Sequence, residues 1–272
     1  LNEICFPKKY KLQLPQQFVS KFLHPKNNYD GLLVFHQIGA GKTCAAINIG
    51  ENFKGKKKIF IITPASLVDN MYKEFMSGCV GNEYIDFKYL QNLNPKSSEY
   101  KKIIKEGKKK INKYYKILSY NKFVDLILEN KINLNNSLLI IDEVHNMISE
   151  SGTYYNELKN ILHKKSNDTI RIVLLSATPM FDKPVEIALT LNILKPVKNL
   201  PIGNNFNKDF LKIKKRKDGI YYKAKNLEKF KSMIKGLVSY YRGAPPNAFP
   251  EENFKTILTE SSIESIWFFK FL

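Results

Sequence analysis

His36-Gln37-Ile38-Gly39-Ala40-Gly41-Lys42-Thr43 is the stretch that decides the fold, because it separates the apolar run Leu32–Phe35 from a segment with helical spacing. Between a strand and a helix, glycines let the backbone turn tightly so that its amide groups point at phosphate oxygens. The amino end of the helix adds partial positive charge. The stretch therefore predicts a phosphate-binding loop, although His36 stands where the usual pattern begins with glycine. The predicted nucleotide-binding residues are Gly39, Ala40, Gly41, Lys42 and Thr43.

Two adjacent acids, Asp142 and Glu143, follow the apolar run Leu138–Ile141. Ligands bind at the carboxyl ends of strands in open α/β sheets, so this strand would deliver both acids to the edge that carries the loop. Alone, the pair would equally suit a helix cap. Downstream of the loop it predicts ATP hydrolysis with Mg²⁺, with Thr43 and Asp142 holding the ion and Lys42 contacting the β- and γ-phosphates. Glu143 would deprotonate the attacking water, which makes Glu143, Asp142 and Lys42 the predicted catalytic residues.

Short apolar runs alternate with amphipathic segments through most of the chain, which is typical of an α/β fold with a parallel sheet and helices on both faces. The clearest predicted strands are Leu32–Phe35, Ile59–Ile62, Leu138–Ile141 and Ile170–Leu175. Weaker patterns predict strands at Ile85–Tyr89 and Tyr115–Leu118, and helices at Tyr100–Lys116 and Pro184–Leu194. The segment Pro196–Asn226 predicts a basic loop or insertion, and no new strand–helix alternation is expected after Leu237.

The net charge of +19 and the pI near 9.6 would attract an anionic polymer, for which nucleic acid is the usual candidate. Only three of the 44 basic residues are arginines, which is also the bias of an A/T-rich genome. Charge alone leaves both explanations open.

The cysteines Cys5, Cys44 and Cys79 are too scattered for a disulfide framework or a zinc site. With no signal peptide and no apolar run of about 18 residues, we expect an intracellular protein without membrane contact.

Taken together, these motifs resemble those of the first RecA-like domain of superfamily 2 helicases. His36–Thr43 matches motif I, Asp142-Glu143-Val144-His145 matches motif II, and Ser176-Ala177-Thr178 matches motif III. The resemblance implies that Ser176, Thr178 and His145 couple nucleotide state to nucleic acid. It also implies backbone contacts to nucleic acid from two further motifs, at Thr63, Pro64 and Ser66 and at Ser119 and Tyr120. Gln17 is expected to read adenine, with Gln16 as the alternative.

Within the superfamily, Ser176–Glu186 and Gly236–Arg242 look most like helicases of large cytoplasmic DNA viruses, of the poxvirus early transcription factor and nucleoside triphosphate phosphohydrolase I types. The resemblance implies a role in viral transcription or remodelling, with DNA preferred to RNA. A viral RNA polymerase or transcription factor subunit is a further expected partner. Host cytoplasm or the virion is the expected location.

The resemblance also sets the expected domain organisation. Residues 1–195 would form the RecA-like ATP-binding domain, 196–250 a basic insertion with an aromatic and proline-rich tail, and 251–272 the start of a linker. Superfamily 2 motors complete their ATP site with arginines from a second RecA-like domain. We expect that domain in cis or in trans, so the chain would be a fragment or a truncated reading frame. Two alternatives remain, a packaging or AAA-type ATPase and a binding half-module with little activity.

Overall fold

The computed structural model describes residues 12–149, 152–162, 164, 169–180, 182–216 and 219–243. The strands in these ranges are β1 (Gly31–His36), β2 (Lys58–Thr63), β3 (Tyr115–Ser119), β4 (Ser137–Ile141), β5 (Arg171–Ser176), β6 (Leu211–Arg216), β7 (Gly219–Ala224) and β8 (Val238–Tyr241). The helices are α1 (Leu14–Phe22), α2 (Lys42–Phe53), α3 (Val68–Phe75), α4 (Phe87–Gln91), α5 (Ser98–Asn112), α6 (Tyr120–Leu128), α7 (Thr153–Leu162), α8 (Glu186–Ile193), α9 (Gly203–Phe210) and α10 (Leu227–Ile234). Short 3₁₀ turns occupy Ala65–Leu67, Gly78–Val80 and Val144–Met147.

Six parallel strands form the central sheet, in the order β3-β2-β4-β5-β1-β8. Strand β1, which leads into the phosphate-binding loop, lies between β5 and β8. The predicted α/β fold with a parallel sheet is confirmed. Because all six strands run in one direction, the loops that follow β1, β2, β4 and β5 meet at one edge of the sheet.

The sheet is buried on both faces, which explains why its strands read as nearly continuous apolar runs. Successive side chains of a strand point to opposite faces of the sheet, and each face carries its own hydrophobic core. In β4, Ile140 packs in one core with Phe53 of α2, and Ile141 packs in the other with Leu158 of α7. Burying one such aliphatic or aromatic side chain contributes roughly 1.5–3 kcal/mol. The two cores therefore hold the strand ends, and the loops on them, in fixed positions.

Two local predictions differ from the structure. Ile85–Tyr89 was predicted to be a strand, but Asp86 caps a helix there by accepting a hydrogen bond from Tyr89 N over 3.1 Å, and α4 begins at Phe87. The aspartate side chain satisfies an amide that a strand would have to pair elsewhere. The basic helix ends at Asn112, before Lys116, because β3 begins at Tyr115 and pairs with β2.

The prediction of a loop over residues 196–226 is wrong. Helix α9 and the antiparallel hairpin β6–β7 occupy this segment, and α10 follows. The rings of Phe206, Phe210 and Phe230 pack together, with centroids between 5.2 and 6.5 Å apart. Two of these rings are four residues apart on α9, a spacing that brings side chains together on one helix face. This aromatic cluster holds α9 against α10.

After Leu237 the chain returns to the sheet and adds one strand, which the sequence analysis did not predict. Strand β8 pairs in parallel with β1, and backbone bonds from Leu33 N to Leu237 O and from Gln37 N to Tyr241 O flank the pairing, at 2.8 and 3.1 Å. The loop strand β1 is therefore supported on both sides. The expected linker at 251–272 lies outside the described residues.

Two further expectations concern membranes and cysteines. None of the helices in the described ranges is long and apolar enough to cross a membrane.

The scattered cysteines gave no reason to expect a disulfide, yet Cys44 and Cys79 are joined in one, with Cα atoms 5.8 Å apart. It links the first turn of α2 to the 3₁₀ turn Gly78–Val80.

Candidate nucleotide-binding site

The phosphate-binding loop connects β1 to α2 through two residues with left-handed backbone. Gly39 has φ 78° and Gly41 has φ 68°, which L side chains rarely adopt. Helix α2 begins at Lys42, whose side chain is buried and whose Nζ donates to Gln37 O over 3.4 Å. The ammonium group therefore lies over the loop, beside the free amides of the helix terminus. This is the geometry expected for binding phosphate oxygens.

Gln16, and not Gln17, contacts the loop. The Gln16 side chain is buried, its Oε1 accepts from Gln13 N, and its Nε2 donates to Gly41 O over 3.1 Å. A Cβ on Gly41 would lie 2.2 Å from Gln16 Nε2, so the loop and the glutamine are fitted to each other. Gln17 instead donates to Leu12 O. The structure thus places the alternative glutamine, and not the preferred one, against the loop.

Asp142 lies at the carboxyl end of β4 and is almost fully buried. Thr63, at the end of β2, donates to Asp142 Oδ2 over 3.4 Å. Burial raises the pKa of Asp142 to about 6, and the neighbouring negative charge of Glu143 acts in the same direction. Lys42 lowers this pKa, but by less. The site therefore concentrates negative charge out of water, next to the loop.

Glu143 sits in a strained turn that Tyr120 supports. Its φ of 47° lies in the left-handed region, which costs a residue with a side chain of order 1–3 kcal/mol. The hydroxyl of Tyr120 donates to the carbonyl oxygens of both Asp142 and Glu143. Burial raises the pKa of Tyr120 above its ordinary value, and the Asp142 charge adds to the effect, so the ring keeps its proton. Tyr120 therefore holds the two acids in position.

A chain of polar contacts links Glu143 to motif III. His145 Nδ1 lies 3.4 Å from Glu143 Oε2 and 3.0 Å from Ser176 Oγ, at the end of β5. Ser176 Oγ also accepts from Thr178 N over 3.0 Å. The three predicted coupling residues thus lie in one network, although Thr178 joins it through its backbone. Two side chains, those of His145 and Ser176, therefore connect Glu143 to the backbone of Thr178.

His36 ties the loop strand to β8. Its side chain is fully buried, with Nε2 3.0 Å from Ser239 Oγ, and its ring meets the ring of Tyr241 edge-on. The Nδ1 atom has no hydrogen-bond partner among the described residues. Burial lowers the pKa of His36 to about 4, and the charge of Lys42 acts in the same direction. The histidine is therefore neutral near pH 7 and serves the packing of the loop.

A cavity of about 570 Å³ opens between the loop, the residues around α1 and the end of β8. Its lining combines Gln37–Ala40 with Leu14, Tyr241 and Arg242. A larger concavity, about 1150 Å³, lies at the amino ends of β2 and β3, away from the acids. The smaller cavity is the candidate for the base side of a nucleotide site, because the loop residues Gln37–Ala40 line it.

The five predicted nucleic-acid contacts fall into two groups. Thr63 and Tyr120 are buried against Asp142, which makes them part of the acidic site. Ser66 is exposed in the 3₁₀ turn after β2, and Pro64 is half-buried beside it. Ser119 is half-buried and caps α6 by accepting from Lys122 N over 3.3 Å. The burial of Thr63 and Tyr120 was not predicted, because the sequence does not show whether a side chain at a strand end points inward at the neighbouring strand.

The residues present fit a magnesium ion held together with a nucleotide. Among the described residues, no group of three or more His, Cys, Asp or Glu side chains is placed to hold a metal. Nucleotide-bound Mg²⁺ does not need one, because phosphates and water supply most ligands and the protein supplies one or two. The Asp142 carboxylate and the Thr43 hydroxyl offer oxygen ligands of the required kind. Two adjacent carboxylates in a buried site also favour a divalent cation.

Comparison with known proteins agrees with the geometry. Residues 7–181 match the family model described as type III restriction enzyme, res subunit. A putative ATP-dependent RNA helicase of Acanthamoeba polyphaga mimivirus is 53% identical over 264 residues, covering 96% of this chain and 46% of the relative. The early transcription factor 70 kDa subunit of fowlpox virus is 26% identical, covering 78% of this chain and 29% of the relative. The chain spans less than half the length of these relatives.

A solved structure shares the fold. The Sulfolobus solfataricus SWI2/SNF2 ATPase core in complex with dsDNA matches with a TM-score of 0.54 and 17% identity, over 86% of this chain and 45% of that one. At this identity the likeness concerns the fold alone, and it confirms the RecA-like architecture. The chain therefore belongs to the family of the type III restriction enzyme res subunit, and its sequence is similar to superfamily 2 helicases of large DNA viruses.

Proposed function

We propose that this chain binds Mg·ATP at the His36–Thr43 loop and hydrolyses it as the motor domain of a nucleic-acid-dependent ATPase. The observation that carries the proposal is the meeting of three elements at one sheet edge. These are the loop with Lys42, the buried Asp142 with the half-buried Glu143, and the His145–Ser176 contact. The names of the viral relatives, which include ATP-dependent helicases, support it.

In this proposal each side chain has one task. Loop amides and Lys42 bind the β- and γ-phosphates, and Gln16 lines the base side of the site. Asp142 and Thr43 hold Mg²⁺, which would neutralise phosphate charge. Glu143 orients the attacking water and accepts its proton. Tyr120 fixes the turn on which both acids stand, and His145 passes a change at Glu143 to Ser176.

The proposal extends to the polymer and the partners. The exposed Ser66 turn, beside Pro64 and Ser119, is the proposed contact for the nucleic-acid backbone. DNA is preferred, although the mimivirus relative is named an RNA helicase. A second RecA-like domain is the proposed partner in hydrolysis. The fowlpox relative supports a role in viral transcription, beside a viral polymerase or transcription factor, in host cytoplasm or virion.

Two substitutions test the nucleotide site. Lys42→Ala should weaken Mg·ATP binding at least tenfold by calorimetry, because Lys42 is the loop's own cation; about 1.4 kcal/mol of lost binding suffices. Lys26→Ala, in the exposed turn after α1, is the control and should bind normally. Unchanged affinity in Lys42→Ala would refute the assignment of the loop.

The second substitution, Glu143→Gln, should keep Mg·ATP affinity and remove turnover, since the base acts only in the chemical step. Equal loss of binding and turnover would show that Glu143 is structural. A packaging or AAA-type ATPase would show the same two results, but without any effect of nucleic acid on turnover. Phosphate release measured with and without DNA, after a second RecA-like domain has been supplied to the chain, therefore separates the classes.

A further inference from the structure

The hairpin β6–β7 stands outside the six-stranded sheet, and none of its described side chains lines the cavity beside the loop. Its sequence, Leu211–Ala224, contains five lysines and one arginine against one aspartate. The strands pair in antiparallel register from Leu211 opposite Ala224 to Arg216 opposite Gly219. The hairpin is therefore a two-stranded ribbon with a strong excess of positive charge.

The register divides the ribbon into two faces. Residues directly opposite each other in a sheet point to the same side, and successive residues alternate. Lys212 lies opposite Lys223, and Lys214 lies opposite Tyr221. Three lysines and one tyrosine thus share one face, which we call the basic face. Ile213 and Tyr222, also opposite each other, belong to the other face.

The basic face carries a charge that the protein itself does not balance. Like charges directly opposite each other destabilise a strand pair, and isolated two-stranded hairpins are marginal in water. Among the described residues, none forms an ion pair with Lys212, Lys214 or Lys223. On the neighbouring α10, by contrast, Lys229 pairs with Asp209 and Lys231 pairs with Glu228.

The chemistry of the face points to nucleic acid. Regularly spaced lysines are suited to phosphates, and about 7 Å separates Lys212 from Lys214 along an extended strand. The ring of Tyr221 is 44% exposed on the same face, and exposed aromatic rings next to lysines stack on unpaired bases. A strand of nucleic acid would contact both the lysines and the exposed ring.

We propose that the basic face of the hairpin, formed by Lys212, Lys214, Tyr221 and Lys223, binds the backbone and a base of a single strand of nucleic acid. This site is separate from the Ser66 turn on the motor. It rests on the proposed function only in that nucleic acid is the polymer. The hairpin would add a second point of attachment, outside the parallel sheet.

Charge reversal within the opposed pair tests the site without damaging the hairpin. Lys212→Glu places a carboxylate directly opposite Lys223, which should preserve or raise the melting temperature. The same change removes one phosphate contact and adds a repulsion. Fluorescence anisotropy of the full chain with labelled single-stranded DNA, single-stranded RNA and duplex DNA, across a salt series, measures the effect. Lys88→Glu, exposed on α4, is the matched control.

We expect Lys212→Glu to bind single strands more weakly, with the slope of log affinity against log salt reduced by at least about 0.7. Lys88→Glu should keep the wild-type slope, and Tyr221→Leu should weaken binding to single strands but not to duplex. Equal effects of the two charge reversals, or no effect of Lys212→Glu, would overturn the proposal while leaving the motor assignment intact. Failure of the unaltered chain to bind any probe would instead refute nucleic-acid binding by the whole protein.

Discussion

Tyr120 shows at the scale of one residue how the fold governs the chemistry. Its hydroxyl bridges the carbonyl oxygens of Asp142 and Glu143, which lie more than twenty positions along the chain. We expect Tyr120→Phe to lose about 1–2 kcal/mol of stability, because two buried carbonyls lose their donor. Turnover should fall more than Mg·ATP affinity, since the Glu143 turn loses its support. Urea unfolding together with steady-state kinetics checks both, and turnover at the wild-type rate would refute the positioning role.

Gln16 and Gln17 form a matched pair for testing the base side of the site. Gln16→Ala removes the contact to Gly41 O and should weaken nucleotide binding several-fold. Gln17→Ala breaks only a bond to Leu12 O and should leave binding unchanged. Calorimetry with ATP measures both variants. If Gln17→Ala were the weaker binder, the placement of α1 against the loop would be wrong.

His36 gives a pH dependence with a definite sign. Burial lowers its pKa to about 4, whereas histidine in an unfolded chain titrates near about 6.5. Between these values the unfolded chain binds a proton that the native chain does not. The contribution of His36 to stability is therefore complete above about pH 6.5 and falls by up to about 3 kcal/mol as the pH is lowered towards 4.

The non-titrating variant His36→Gln, which can still reach Ser239, isolates this contribution. The difference in unfolding free energy between wild type and variant should change with pH in that window and be constant above it. Urea unfolding at several pH values measures the difference. A pH-independent difference would show that His36 is not held neutral by burial.

At the scale of elements, strand β8 decides whether the loop strand is an edge or an interior strand. A chain that ends at residue 236 should unfold at least about 3 kcal/mol more easily than one that ends at residue 243, because four paired residues and their backbone bonds are lost. It should also bind ATP more weakly, since the His36–Ser239 contact is gone. Identical melting of the two chains would contradict the role assigned to β8.

The same scale shows what local sequence can and cannot predict. Strands β1, β2, β4 and β5 are predictable because each is a buried apolar run followed by polar residues. Strand β8 is not, because its four residues are only half-buried or exposed and its partner β1 lies two hundred positions earlier in the chain. The helix α4 was missed because a cap at Asp86 outweighed a short apolar pattern.

In the site, residues that belong to short sequence motifs could be predicted, whereas side-chain directions set by tertiary packing could not. The roles proposed for Lys42, Asp142 and Glu143 come from motifs contained in a few consecutive residues. The choice between Gln16 and Gln17 depends on the rotation of α1, and one residue turns a helix by about 100°. The inward direction of Thr63 and Tyr120 depends on neighbouring strands. Side-chain direction, more than residue identity, is what the sequence leaves open.

At the scale of the whole molecule, the positions of Arg171 and Arg242 indicate whether the chain can hydrolyse ATP rapidly by itself. An arginine that stabilises charge on the transferred phosphate is worth roughly 10³–10⁵ in rate in other NTPases. Arg171 lies 3.6 Å from Asp30 and donates to Tyr29 O, at the amino end of β5 and away from the acids. Arg242 lines the cavity beside the loop, but neither Asp142 nor Glu143 lines that cavity. We therefore expect an arginine of a second RecA-like domain to be needed for fast hydrolysis.

The measurement that tests this account most directly is steady-state phosphate release by residues 1–272, at saturating single-stranded DNA or RNA and low salt. The account predicts Mg·ATP binding with very slow hydrolysis and little stimulation, and gain of both hydrolysis and stimulation when a second RecA-like domain is supplied. Robust stimulated turnover by the chain alone would contradict it, and loss of that turnover in Arg242→Ala would show which arginine completes the site.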